Sequence, residues 1–225
     1  MPPGELRSPM FLRTVDIFSG LTDQQLETLL KGSRYRLYNK GTVIVTEGDS
    51  AHALFIVKTG ALKAYLSDND GKEIILSTLG PNDYFGELAL IDDEPRSATV
   101  AAMERSEVLQ VPKEAFQQLV LQDPQAMQTI ARSLVKQVRE LTDSVRTLAL
   151  VDVFGRIVHL LNAVGVTNTA GHLVISPKLT QQDIASRVGS SREMVSRIFK
   201  DLVIGKYIVI DQDSITVCKP LPMKW

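Results

Sequence analysis

The sequence predicts an α+β protein: an N-terminal antiparallel β roll, one long helix, and a C-terminal winged helix-turn-helix. Three observations carry that reading. Between Tyr35 and Pro112, short β-rich runs alternate with turn residues at a spacing of about 8–12 residues, which suits a roll or barrel. From Pro124 to Leu150, apolar residues recur at heptad spacing. From Thr180 to Leu202, two helical patterns flank a glycine, and two β-rich runs follow.

The elements can be justified in order. Thr22 with Gln25 three residues on is a capping box, and Leu26, Leu29 and Leu30 follow at helical spacing, so a helix is expected from Asp23 to Lys31. The β-rich runs are 43–45, 54–57, 62–66, 74–76, 99–101 and 108–111. Turn residues such as Asn39-Lys40-Gly41, Glu47-Gly48-Asp49 and Asp68-Asn69-Asp70-Gly71 punctuate them. In 124–150, Ala131, Val138 and Val145 fall at a, and Met127, Leu134, Leu141 and Leu148 at d. β-branched residues at a and leucines at d favour a parallel two-stranded coiled coil, hence a homodimer. The alternative is that this stripe packs on its own domain. Val151-Asp152-Val153 reads as a hinge, giving domains 1–150 and 151–225, with Asp152 either setting the hinge or capping a helix over 154–164. Residues 166–177 read as loop and short strand. Runs 207–210 and 214–217 around Asp211-Gln212-Asp213 read as a hairpin wing.

Composition narrows the functional classes. No apolar run approaches the ~18 residues that span a bilayer, and the opening MPPGELRSPM lacks the pattern of a signal peptide. The one cysteine, Cys218, can form no intrachain disulfide and can hold no iron–sulfur cluster or cysteine zinc site. A cytoplasmic location without membrane contact is expected. Up to Val151 the chain has 16 basic and 20 acidic residues; beyond it there are 9 and 6. The positive balance lies where phosphate attraction would serve a DNA reader, although ordinary surface variation also produces shifts of this size.

One uninterrupted run carries the ligand chemistry: Phe85-Gly86-Glu87-Leu88-Ala89-Leu90-Ile91-Asp92-Asp93-Glu94-Pro95-Arg96-Ser97-Ala98-Thr99-Val100. A phosphodiester suits a guanidinium fork, here Arg96. Gly86 permits close backbone approach, and 87–90 can form a short helical turn with exposed N–H groups. Ser97 offers a hydroxyl and Ala98 a backbone N–H. Glu87, an acceptor when ionised, suits a ribose 2′-hydroxyl. The competing reading is a mutual Glu87–Arg96 ion pair in an empty pocket.

In the C-terminal part, Thr180 to Gly189 and Ser190 to Leu202 form two short helices around a tight turn. Ile184, Ala185, Val188, Val195, Ile198 and Leu202 supply an internal face. Arg192, Glu193, Ser196 and Arg197 project outward near the start of the second helix, where a recognition helix meets base edges. Arg pairs with guanine and Glu accepts from cytosine, while Ser191, Ser196 and Lys200 can position phosphates. The plainer alternative is a charged, solvated helix face.

The cassette and the segment Ser191-Arg192-Glu193-Met194-Val195-Ser196-Arg197-Ile198 together resemble the bacterial CRP/FNR family, which contains the cyclic-AMP receptor protein, over nearly everything from Ile17 to Val217. The resemblance implies a cyclic-nucleotide-binding domain in which Gly86, Glu87, Leu88, Arg96, Ser97 and Ala98 hold sugar and phosphate, and Ala64, Ser77 and Leu79 line the pocket. It places Leu141 and Thr142 where the cyclic-AMP receptor has two adjacent hydroxyl residues against adenine, one from each subunit. Leu141 also reads as a coiled-coil core residue, so only Thr142 can hydrogen-bond the base. Cyclic AMP is the expected effector, with cyclic GMP or cyclic di-GMP as rivals. The resemblance also implies Thr180, Ser191, Arg192, Glu193, Ser196, Arg197 and Lys200 as the DNA-binding set, inverted-repeat half-sites like TGTGA in double-stranded DNA, a homodimer, and RNA polymerase as a partner. No nucleophile–base arrangement, metal-ligand spacing or P-loop points to an enzyme, and His52, His159 and His172 form no haem ligand pair.

Overall fold

The computed structural model describes residues 9–169 and 171–222. The opening residues, where a signal peptide was not expected, lie largely outside this range. A short helix, α1 (Pro9–Leu12), and a 3-10 turn (Asp16–Phe18) precede α2 (Asp23–Gly32). The capping box forms as expected: Thr22 accepts from the Gln25 N–H, and the Gln25 side chain accepts from the Thr22 N–H.

Eight strands follow: β1 (Arg34–Tyr38), β2 (Val43–Val45), β3 (Ala53–Thr59), β4 (Leu62–Ser67), β5 (Glu73–Leu79), β6 (Tyr84–Phe85), β7 (Thr99–Ala102) and β8 (Ser106–Pro112). They make two four-stranded sheets, ordered β1-β8-β3-β6 and β2-β7-β4-β5. Strands β1 and β6 were not expected. The run in β3 is continuously apolar because both of its faces are covered. Leu54 and Ile56 join the cluster formed with Leu26, Leu109 and Phe116, whereas Ala53, Phe55 and Val57 join Leu62, Phe85, Val100 and Val108 inside the roll.

The short α3 (Leu88–Ile91) interrupts the passage from β6 to β7, and α4 (Lys113–Gln122) leads into α5 (Pro124–Leu150). Helix α5 has the expected bounds. Ala126 is buried and Ile130 joins the first cluster, but Val138, Leu141 and Val145 are exposed by 62%, 46% and 64%. The heptad stripe is therefore mostly uncovered in one chain.

Beyond it come α6 (Val153–Val164), β9 (Val166–Thr167), β10 (Leu173–Ile175), α7 (Gln181–Val188), α8 (Arg192–Ile204), β11 (Ile208–Ile210) and β12 (Ile215–Val217). Asp152 is the N-cap of α6, accepting from the Gly155 N–H at 2.7 Å. The last four strands form a sheet ordered β11-β12-β10-β9, so the expected wing hairpin gains two strands from the segment read mostly as loop. The chain separates into two compact units: one runs to Leu66 and resumes over Leu76–Arg139, and the other comprises Ser67–Ile75 and the residues from Glu140 onward.

Candidate functional site

In the first unit, the cassette lies in the connection that leaves β6 and enters β7. Gly86 takes φ +84°, a conformation that favours glycine, and a Cβ built there would sit 2.2 Å from Arg96 Nη1. That closeness has a cause. Arg96 Nη1 donates to the Gly86 carbonyl at 2.8 Å, and Nη2 donates to the Ala53 carbonyl at 2.7 Å. The Arg96 backbone is fixed as well, its N–H donating to Asp49 O and its carbonyl accepting from the Gly48 N–H. The guanidinium thus binds carbonyl oxygens rather than closing on Glu87, and these account for two of its five N–H donors. Phe55 lies beneath it, with the ring centroid 5.5 Å from Cζ, and stacks on Phe85.

Glu87 is 4% exposed and is the N-cap residue of α3 rather than its first helical residue. The expected helical turn over 87–90 falls one residue later. Gln137 on α5 donates to Glu87 Oε1 at 3.4 Å. Burial raises the Glu87 carboxyl above the ordinary glutamate range, although hydrogen bonds and the Arg96 charge oppose the shift. Burial also raises the phenol of Tyr84, whose surroundings include Ser133 of α5 and Glu87. Arg96 feels the reverse: burial lowers its pKa, and Glu87 and Asp49 oppose that.

Of the expected pocket residues, the structure brings Gly86, Glu87 and Arg96 together. Ala64 and Leu79 are half-buried against the cluster inside the roll. Ser77, Leu88 and Ser97 are exposed, and Ala98 is half-buried beside Arg96. Leu141 and Thr142 are exposed on the part of α5 that belongs to the second unit. Sequence reasoning missed Gln137, which reaches Glu87 from 50 positions away, Tyr84, whose phenol feels the Glu87 charge, and Phe55, which reads there only as part of a β-rich run.

The second unit holds the other candidate surface. Thr180 caps α7 through a reciprocal box with Asp183, and Gly189 ends the helix at φ +62°. Ser191 caps α8 by accepting from the Met194 N–H at 3.2 Å. The hydroxyls of Thr180 and Ser191, expected at DNA, therefore also hold helix ends. Val195, Phe199 and Leu202 bury into the unit's core, with Ile198 only partly covered; Phe199 was absent from the expected internal face. The opposite face of α8 leaves Arg192, Glu193, Ser196, Arg197 and Lys200 exposed. With Gln181 of α7, a residue not expected there, they line one open concavity.

A model of the cyclic nucleotide-binding domain matches residues 35–123, and a model of the Crp-like helix-turn-helix domain matches residues 155–221. The chain belongs to the CRP/FNR family. This CRP/FNR protein is 33% identical over 188 residues to the cAMP-activated global transcriptional regulator Vfr of Pseudomonas aeruginosa, covering 80% of this chain and 86% of Vfr. It is also 33% identical over 184 residues to the cAMP-activated global transcriptional regulator CRP of Salmonella typhimurium, covering 80% and 88%. Among solved structures, the c-di-GMP-responsive regulator CLP of Xanthomonas campestris has the same fold, with a TM-score of 0.77 at 24% identity over 87% of this chain and 99% of CLP. The CRP/FNR chain is therefore a transcription regulator of the cyclic-nucleotide-binding type, and its relatives are regulators rather than enzymes. Among the described residues, no cluster of three His, Cys, Asp or Glu side chains could hold a metal, and no helix is long and apolar enough to cross a membrane.

Proposed function

We propose that this regulator is a cytoplasmic homodimer controlled by cyclic AMP, with a ligand domain over 1–150 and a DNA-binding domain over 151–225. The buried cassette carries the reading: a guanidinium held by two carbonyls keeps further N–H donors for a phosphodiester, beside a carboxylate suited to the ribose 2′-hydroxyl. Gly86, Glu87, Leu88, Arg96, Ser97 and Ala98 hold sugar and phosphate, Ala64, Ser77 and Leu79 line the pocket, and Leu141 and Thr142 lie toward the base. Two relatives at 33% identity bear the description cAMP-activated, which supports cyclic AMP.

The dimer forms through the exposed α5 stripe. Its two copies of α8 enter adjacent major grooves, ~34 Å apart, at inverted half-sites resembling TGTGA. Arg192, Glu193 and Arg197 read bases; Thr180, Ser191, Ser196 and Lys200 position phosphates. Bound at a promoter, the dimer contacts RNA polymerase. Ligand shifts the equilibrium between two arrangements of the dimer only through its differential affinity for them.

One observation favours a second reading, cyclic GMP or cyclic di-GMP. Leu141 stands where a hydroxyl would meet adenine, leaving Thr142 as the sole base partner of the pair.

Titration calorimetry of the full chain with cyclic AMP, cyclic GMP and cyclic di-GMP, with Arg96→Ala as control, tests the assignment. The expected result is micromolar cyclic AMP binding that the variant loses. Binding of another nucleotide alone moves the effector to the second reading. No binding of any nucleotide leaves a DNA-binding protein with a vestigial pocket.

A further inference from the structure

We propose that Phe55 is a positioning residue for Arg96, its ring face fixing the plane of the guanidinium that receives the ligand phosphate. This rests on the reading of Arg96 as the phosphate-binding group. Two contacts, Nη1 to Gly86 O and Nη2 to Ala53 O, define a line along the outer edge of the guanidinium. About that line the plane can still swing. A third contact off the line stops it, and the Phe55 ring supplies one at 5.5 Å from Cζ, within the reach of a cation–π attraction.

The sequence builds this support from neighbouring positions. Ala53 and Phe55 are two residues apart on β3, so both point into the roll while Leu54 points to the other cluster. Phe55 is also paired in register with Phe85 of β6, the residue before Gly86, and the two rings stack at 4.9 Å with planes 9° apart. Strand β3 and the residue that follows β6 therefore deliver both carbonyl acceptors to one arginine, and β3 also delivers the Phe55 ring, which stacks on Phe85. The contact has electrostatic content because the face of an aromatic ring is negative; a leucine would fill similar space without that face. In a region that burial keeps poor in water, the ring helps offset the desolvation of the cation.

The test replaces Phe55 with phenylalanine analogues bearing one, two and three ring fluorines, which weaken the ring's negative face while keeping its shape. Cyclic AMP affinity is measured for each full-length protein beside Phe55→Leu. The expected result is a stepwise loss with each fluorine, summing to about tenfold at three, with Phe55→Leu at least as weak. Wild-type affinity across the whole fluorine series overturns the proposal, since a purely steric role would leave it flat.

A ligand-independent arm separates this idea from the functional reading. In the unliganded protein, the Arg96 Nε–H resonance is expected upfield of its position in Phe55→Leu, through the ring current. Unchanged resonances overturn the positioning role. If wild type binds no cyclic nucleotide but this shift is present, the functional reading fails and the positioning of Arg96 stands.

Discussion

Gly86 shows how one missing Cβ serves two ends. Its φ of +84° excludes most side chains, and the space beside it is filled by the Arg96 guanidinium. Gly41 has nearly the same φ, +82°, but nothing within 4 Å of its position. Each alanine substitution carries a backbone cost of about 1–3 kcal/mol. Gly86→Ala is expected to weaken cyclic AMP binding at least tenfold as well, while Gly41→Ala leaves binding near wild type; calorimetry on both variants separates strain from displacement of the arginine. Glu87 gives a second residue-level prediction. Burial raises its carboxyl, so the unliganded folded chain holds a proton where the unfolded chain has released it. Stability contributed by this group is full below the unfolded-state pKa and falls as pH climbs through the raised folded-state value. A ribose hydroxyl donating to the carboxylate favours the ionised form, so cyclic AMP should bind more tightly as pH rises through that window, with proton release. Calorimetry in buffers of different ionisation enthalpy reads this directly, and Glu87→Gln should abolish both effects.

Helix α8 separates stability from recognition along a single element. Its N-cap hydroxyl supports the fold, so Ser191→Ala should cost about 0.5–2 kcal/mol in denaturant unfolding. Arg197 is exposed and outside the core, so Arg197→Ala should leave the unfolding midpoint unchanged yet cost about 1–3 kcal/mol at one guanine of the half-site. Equal loss on specific and random DNA would assign Arg197 to a phosphate instead. The same elements show what a sequence makes legible. The caps at Thr22 and Thr180 could be read because both partners lie within four residues. So could the bounds of α5, because its pattern repeats along one helix. Strand β1 reads poorly because its stability comes from β8, paired from Arg34–Gln110 to Tyr38–Ser106, and β6 is only two residues long. Phe199 escaped the internal face because neighbouring Ile198 also fits the helical period, and packing decides between them. The cassette was legible as chemistry, but the Gln137–Glu87 contact spans 50 positions and the ring beneath Arg96 comes from 41 residues upstream. No local pattern encodes either.

At the scale of the whole molecule, the α5 stripe leaves Val138, Leu141 and Val145 open in a single chain. If a second copy covers it, Val138→Asp places a charge in the seam at a position that is solvent-exposed in the monomer. Sedimentation should then show a folded monomer with specific DNA affinity lost, whereas a dimer unaffected by the change would move the interface elsewhere. The strand order has a consequence for how the protein is made. Strand β8 separates β1 from β3 in their sheet, although it follows both in the chain. On the ribosome, β1 and β3 emerge many residues before the strand that joins them, so their backbone edges wait unpaired while synthesis proceeds. The helix-turn-helix unit has its helices and its hairpin close in sequence and can close soon after it emerges. A nascent chain whose β8 has not yet emerged from the ribosome should therefore be the form most prone to capture by chaperones, and emergence of Pro112 from the exit tunnel should end that vulnerability.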